Sequence, residues 1–265
     1  MNEILTATTA HLTEVFSSVQ GEGPYVGARQ IFVRFYGCHR RCEFCDSPET
    51  VTAWQPAGFK PATFRIETPP GSNRFETHAN PVSPDDLAAI IARFDQPRGL
   101  HHSVAITGGE PLLHAAFLRE IMPQIRATGL KTYLETAGDL FHELELVLAF
   151  TDIVAMDFKL PSVTKNEPSW GHHRQFLRRC ADAGVEVFAK AIVSGETSDA
   201  DIREAARIIS ETAPETPLIL QPLTPFGPAK NAARPDQLLR WQALAAGIAR
   251  DVRVIPQCHK MMGQL

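Results

Sequence analysis

The chain has 265 residues, 44% of them hydrophobic and 21% charged, with a formal net charge of −4. This suits one sizeable globular core, and the mildly acidic balance excludes the electrostatics of a nucleic-acid or anionic-membrane binder. Five cysteines, an odd number, argue against a disulfide scaffold in a chain of this length. Residues 1–16 lack a basic stretch followed by an apolar one, and no apolar run approaches a membrane span. A reducing, cytoplasmic location is therefore expected, with thiols available for metal.

In chain order, the first strand-like run is IFVRFY (31–36), which leads into GCHRRCEFC. Residues 48–82 are rich in Pro, Thr and Gly and read as a long loop insertion. A helix is predicted over 83–94, with Ser83 as N-cap, Pro84 at the first helical position, and Asp85 and Asp86 in the first turn. Strand 103–107 runs into TGGEP. Helix 114–129 follows, and its internal Pro123 predicts a kink or break. Strand 131–135 ends in ETAG, and strand 152–157 in DFK, with a helix over 139–150 between them. Helix 171–184, strand 186–193 and helix 198–212 come next. Strand 217–221 leads into QPLTP, and helix 234–250 precedes strand 251–256, which ends in PQCHK. Gly129 and Gly184 stand where helix C-caps belong.

Strand-then-helix repetition, with no internal repeat or domain linker, predicts a single α/β domain over 1–265, built on a parallel sheet. In such a sheet the C-terminal strand ends lie on one face, where sites form. Six polar segments scattered in sequence should therefore converge.

Cys38, Cys42 and Cys45 have the spacing C-x3-C-x2-C. A structural zinc site wants four protein ligands, which His39 or His259 would have to complete. Three thiolates on a four-iron cluster instead leave one iron open to a small molecule. With Phe44 before the last cysteine, and with TGGEP (107–111) following in order, the set resembles the radical S-adenosylmethionine (SAM) superfamily. The resemblance implies a partial (β/α)6 TIM-like barrel, a [4Fe–4S] cluster and SAM. Its glycine-rich segment would let backbone approach SAM closely at Gly108 and Gly109, while Glu110 would meet the SAM ammonium.

The opening EVFSSVQGEGPYVGARQIFVRFYGC (14–38) is similar to that of the 7-carboxy-7-deazaguanine synthases. So are TGGEPLL, LETAG, DFKLPS, LQPLTP and RVIPQCHKMMGQL, which together span residue 14 to the C-terminus apart from 48–82. This implies ring contraction of 6-carboxy-5,6,7,8-tetrahydropterin with loss of ammonia, assisted by Mg2+. By the same resemblance, Val19, Gln20, Gly21 and Glu22 would wrap the pterin, Arg34 would take its carboxylate, and Thr107 would bond it beside the methionine site. Phe44, Cys45, Asp46, Gly109, Glu110, Asp157, Phe158 and Lys159 would line the SAM pocket, with Gln221, Pro222, Leu223 and Thr224 near the adenosine. Ser47 stands where many members have a Mg2+-binding Thr. His259 and Leu265 would reach the substrate from the C-terminus.

Other polar residues carry plainer expectations. Cys180 and Cys258 read as packing residues, and His101, His102, His172 and His173 as solvated loop or cap histidines. A flavodoxin- or ferredoxin-type reductant and a homodimer also follow from the resemblance. Two other readings stay open at this stage: a radical SAM enzyme on another substrate, such as a glycyl-radical activase, and a zinc-stabilised binding protein.

Overall fold

The β-branched and aromatic runs all become strands of one ten-stranded sheet, and the computed structural model describes residues 8–51, 56, 58–225 and 230–264. Strands β1 (Leu12–Val19), β2 (Arg29–Phe35), β3 (Thr63–Glu67), β4 (Phe75–Ala79) and β5 (Ser103–Gly108) are followed by β6 (Lys131–Thr136), β7 (Ile153–Asp157), β8 (Glu186–Val193), β9 (Leu218–Pro222) and β10 (Val252–Val254). Their order is β10-β9-β8-β7-β6-β5-β2-β1-β3-β4. From β2 through β5 to β10 every neighbouring pair is parallel. The helices over the sheet include α1 (Pro84–Phe94), α2 (Ala115–Ala127), α3 (Phe141–Glu145), α4 (Pro161–Thr164), α5 (Trp170–Asp182), α6 (Asp199–Thr212), α7 (Pro235–Ala246) and the short C-terminal α8 (Cys258–Met261). This mostly parallel α/β sheet, whose terminal strands do not pair with each other, is the predicted fold class. No helix among the described residues is long and apolar enough to cross a membrane.

Three expectations are corrected. Residues 48–82 are not all loop: 63–67 and 75–79 pair as an antiparallel hairpin, and β3 joins the edge of the sheet beside β1. Strand β1 itself, antiparallel to β2, was hidden by the glycine-rich turn that follows it. Helix α2 runs unbroken through Pro123. The carbonyl freed by the ring belongs to the exposed Arg119, on the side of the helix open to solvent, and buried Phe117, Leu118, Ile121 and Met122 hold the helix in place. Ser83 caps α1 as expected, in a capping box with Asp86. Gly129 and Gly184 adopt φ of 93° and 68° just past their helices.

The core has two layers because strand side chains alternate. In β2, Ile31, Val33 and Phe35 pack outward under the helices, while Phe32 and Arg34 point inward. The inward positions of successive strands form an apolar floor of Phe16, Phe32, Ala105, Tyr133, Ile153, Phe188 and Ile219. Phe16 and Phe32 stack with ring centroids 5.0 Å apart.

His173 is not a solvated cap. It is fully buried on α5, T-shaped against Phe158 at 5.0 Å, with Nε2 3.2 Å from the Ala137 carbonyl oxygen. Burial pushes its pKa down to about 3. Its folded value lies below its unfolded one, so the unfolded chain binds the extra proton and stability falls as pH drops from about 6.5 towards 3. NMR titration should show the His173 ring unshifted through pH 6.5. A midpoint near 6.5 would mean that the ring is solvated after all. His101 is likewise buried, 2.6 Å from the Ser17 hydroxyl.

Candidate active site

Two residues further along each strand, on the same face, the inward layer turns polar. Arg34, Thr107, Glu135, Asp157, Lys190 and Gln221 stand on this level and line a cavity of about 510 Å3 over the apolar floor. Arg34 pairs in register with Thr107, and Asp157 with Lys190. The predicted convergence at the C-terminal strand ends is therefore met. Val19, Gln20, Gly21, Glu22, Phe44, Asp46, Ser47, Gly109, Lys159, Pro222, Leu223, Thr224 and His259 all line the same cavity, together with Cys38, Cys42 and Cys45. Leu265 lies outside the described residues.

The buried charges compensate one another. Lys190 Nζ bonds Glu22 and lies 3.5 Å from Asp157, and Lys159 Nζ meets Asp157 at 2.5 Å. Burial opposes ionisation of Glu22 and Asp157, but the lysines outweigh it and hold both below the usual carboxylate range. For the lysines too, burial favours the neutral form, and the facing carboxylates reverse it and raise both. Glu135 goes the other way: burial raises its pKa more than Lys190 lowers it. Its oxygens accept from Gln20 Nε2 at 2.9 Å and Thr107 Oγ1 at 2.8 Å. Gln257 Nε2 donates to Glu22 at 2.8 Å. Lys190, Glu135 and Gln257 were missed in the sequence. The signal that singled out Arg34, a charge inside an apolar strand, applies equally to Lys190 within EVFAKAIV.

The cysteine loop is pinned to the glycine-rich segment by backbone. Glu110 N–H donates to the Gly37 carbonyl at 2.7 Å, and Gly109 N–H to that of Phe35 at 3.0 Å. A Cβ on Gly109 would lie 2.1 Å from the Gly37 oxygen, and one on Gly108 (φ 124°) 2.3 Å from the Phe35 oxygen. The two glycines thus serve the close approach of β5 to the cysteine loop. Glu110 also differs from expectation. Its fully buried carboxylate accepts from Leu112 N–H, Thr136 Oγ1 and Ala137 N–H at 3.1, 2.8 and 2.7 Å, tying β5 to β6, and does not line the cavity. Phe158 packs behind the cavity, on Trp170 and His173.

The three thiols suit a multi-iron group. They share one end of the cavity, and burial pushes Cys38 up to about 11 and raises Cys45, so a neighbouring cation would be needed to hold them as thiolates. Among the described residues no three His, Cys, Asp or Glu side chains form a single-ion site. Ser47 gives a different answer for Mg2+: its hydroxyl already accepts from Arg34 Nη1 at 2.9 Å. A guanidinium at that distance repels a dication, so these residues do not form a Mg2+ site by themselves.

The C-terminal segment closes over the cavity. Cys258 N–H donates to the Gly21 carbonyl at 2.8 Å, and Lys260 pairs with Asp46 at 2.9 Å. A Cβ on Gly21 would fall 2.5 Å from both the backbone nitrogen and the Cβ of His259. Gly21→Ala should displace this segment and cut turnover by roughly 10²-fold, with little loss of thermal stability, since misplacing a binding group by about 1 Å has that effect. Steady-state kinetics beside a melting curve check this, and unchanged turnover would show that the segment does not hold substrate.

The comparisons agree with this geometry. Residues 32–209 match the family model described as Radical SAM superfamily. The chain is 42% identical, over 97% of its length and 98% of the relative, to the 7-carboxy-7-deazaguanine synthase of Geobacter sulfurreducens. It is 34% identical to that of Thermococcus kodakarensis, over 96% of this chain and 98% of the relative. Among solved structures, QueE from Escherichia coli aligns over 95% of both chains with a TM-score of 0.58 at 21% identity, a likeness of fold. A radical SAM methyltransferase from Sphaerobacter thermophilus shares the fold with a TM-score of 0.61 at 13% identity, over 86% of this chain and 66% of that one. The chain belongs to the radical SAM superfamily and, within it, to the family of the 7-carboxy-7-deazaguanine synthases.

Proposed function

We propose that the protein converts 6-carboxy-5,6,7,8-tetrahydropterin to 7-carboxy-7-deazaguanine with release of ammonia. The observation that carries this is the single cavity in which the three cysteines meet Gln20, Glu22, Arg34, Thr107 and His259. Family membership implies a [4Fe–4S] cluster on Cys38, Cys42 and Cys45, with SAM beside it. When bound, the cluster and SAM would together supply one-electron chemistry and a carbon-centred radical for hydrogen-atom abstraction.

The chain's own residues do the rest. Glu22, ionised by Lys190, accepts hydrogen bonds from the guanidine-like edge of the pterin, and Gln20 and Thr107, held by Glu135, orient its ring. Arg34 takes the carboxylate. Lys159, 5.6 Å above the Phe44 ring, keeps a positive charge at the cluster end. The apolar floor and the folded-over C-terminus exclude water from a radical.

Mg2+ enters this reading through the resemblance alone, with substrate oxygens and water needed as ligands beyond Ser47. A flavodoxin or ferredoxin as reductant, a homodimer and a cytoplasmic location rest on the same resemblance. One domain over 1–265 is supported by the near-complete coverage of the relatives. The test is an anaerobic incubation of cluster-reconstituted protein with dithionite, SAM, Mg2+ and the carboxypterin, read by mass spectrometry. A deazapurine carboxylic acid is expected. Deoxyadenosine without it would reject the substrate.

A further inference from the structure

The hairpin that replaces the expected loop brings a residue into the cavity that no motif points to. Arg65 on β3 lines the cavity. It sits beside Glu14 in the parallel register of β1 with β3, and Glu14 sits opposite Arg34 in the antiparallel register of β1 with β2. The three side chains therefore stand in a row on one face of three adjacent strands. Glu14 is buried, and both its oxygens are used: Arg34 Nε donates to Oε1 at 2.9 Å and Arg65 Nη2 to Oε2 at 2.5 Å. Arg34 is fixed again by Ser47, and Arg65 lies 4.7 Å over the Phe75 ring of its own hairpin.

We propose that Arg65 is a second carboxylate-binding residue of the active site, with Glu14 the positioning residue that aims Arg34 and Arg65 together at the substrate carboxylate. The inference rests on the carboxypterin reading above. Each guanidinium carries five N–H donors. Glu14 and Ser47 take two from Arg34, and Glu14 takes one from Arg65, which leaves open donors on both. Two guanidiniums against one carboxylate leave a single positive charge, the complement of one more carboxylate. Asp46 is already neutralised by Lys260, and Glu49 on the same rim is exposed and screened by water. Arg65 is itself half-exposed. It therefore lies at the mouth of the cavity, where it meets a carboxylate on entry, with Arg34 deeper.

The test compares two fluorescent probes, 6-carboxypterin and unsubstituted pterin, titrated into cluster-reconstituted protein with SAM, alongside steady-state kinetics on the tetrahydro substrate. Arg65→Gln is expected to weaken 6-carboxypterin roughly tenfold, the loss of one charge-assisted bond pair, and to leave pterin within about twofold. KM should rise while kcat holds, and Arg65→Lys should recover part of the loss. Glu14→Gln should erase the preference for the carboxylated probe further, because both guanidiniums then swing free. If Arg65→Gln weakens both probes equally, or neither, while the wild type turns over the carboxypterin, Arg65 merely braces the hairpin and the clamp is overturned. If the wild type neither turns over the substrate nor prefers the carboxylated probe, the functional reading fails, and the clamp with it.

Discussion

Lys190→Met should destabilise the protein by about 3–5 kcal/mol, the usual result of removing one partner of a buried ion pair. Lys190 pairs with Glu22, and it also reaches Asp157, which keeps Lys159. The pH dependence separates this from simple loss of packing. In the wild type, Glu22 sits below its ordinary pKa, so its contribution is present above the unfolded carboxylate value and lost as pH falls through the folded one. Lys190 sits above its ordinary value, so its contribution holds below the unfolded lysine pKa and is lost as pH rises through the folded one. Without Lys190, burial acts on Glu22 unopposed and lifts its pKa, and acid then stabilises the variant by neutralising the stranded carboxylate. The gap in Tm between wild type and variant should narrow from about pH 8 to about pH 5. A gap that stays constant or widens would show that Glu22 does not depend on Lys190. Turnover should fall as well, since Glu22 loses the charge that keeps it an acceptor.

Cys42→Ala should abolish iron binding, the visible charge-transfer absorbance and all deoxyadenosine formation. Two thiolates cannot hold a cluster whose ligation requires three from the protein. Cys42 is the most buried of the three and also touches the main core, so a modest loss of stability is expected too. Cys180→Ala is the control. Its thiol is fully buried on α5, pushed up to about 12 by that burial, and so inert. Iron content, absorbance and SAM cleavage should survive its removal. Loss of iron in Cys180→Ala, or retention in Cys42→Ala, would overturn the assignment of cluster ligands.

The site was legible where chemistry demanded unusual residues close together in sequence. The cysteine triplet, TGGEP and the strand-end positions could be read because three thiols in eight residues, or a polar run after an apolar strand, have few other uses. Reading failed where a residue's role depends on a partner far away in the chain. Glu110 looked like a ligand group and proved to be a buried tie between β5 and β6, because Thr136 and Ala137 lie beside it only once those strands pair. His173 looked like a surface cap and is core, because α5 turns that face onto Phe158. Arg65 was lost in a Pro- and Thr-rich stretch whose strands are short and polar on the outer side, so neither alternation nor propensity marked them.

By itself, the sequence determined the α/β class, a parallel sheet of βα units and the family, and it singled out the three clustered cysteines. The fold class follows from local periodicity, the cysteines stand out by their close spacing, and the family follows from the resemblance of whole segments. Only the tertiary structure decided which charges face one another: Lys190 with Glu22 and Asp157, Glu14 with Arg34 and Arg65, and Ser47 with Arg34. Strand register sets those pairings, because it places side chains from distant segments side by side on one face of the sheet. The electrostatics of the cavity arises from such contacts, which no single stretch of the chain contains.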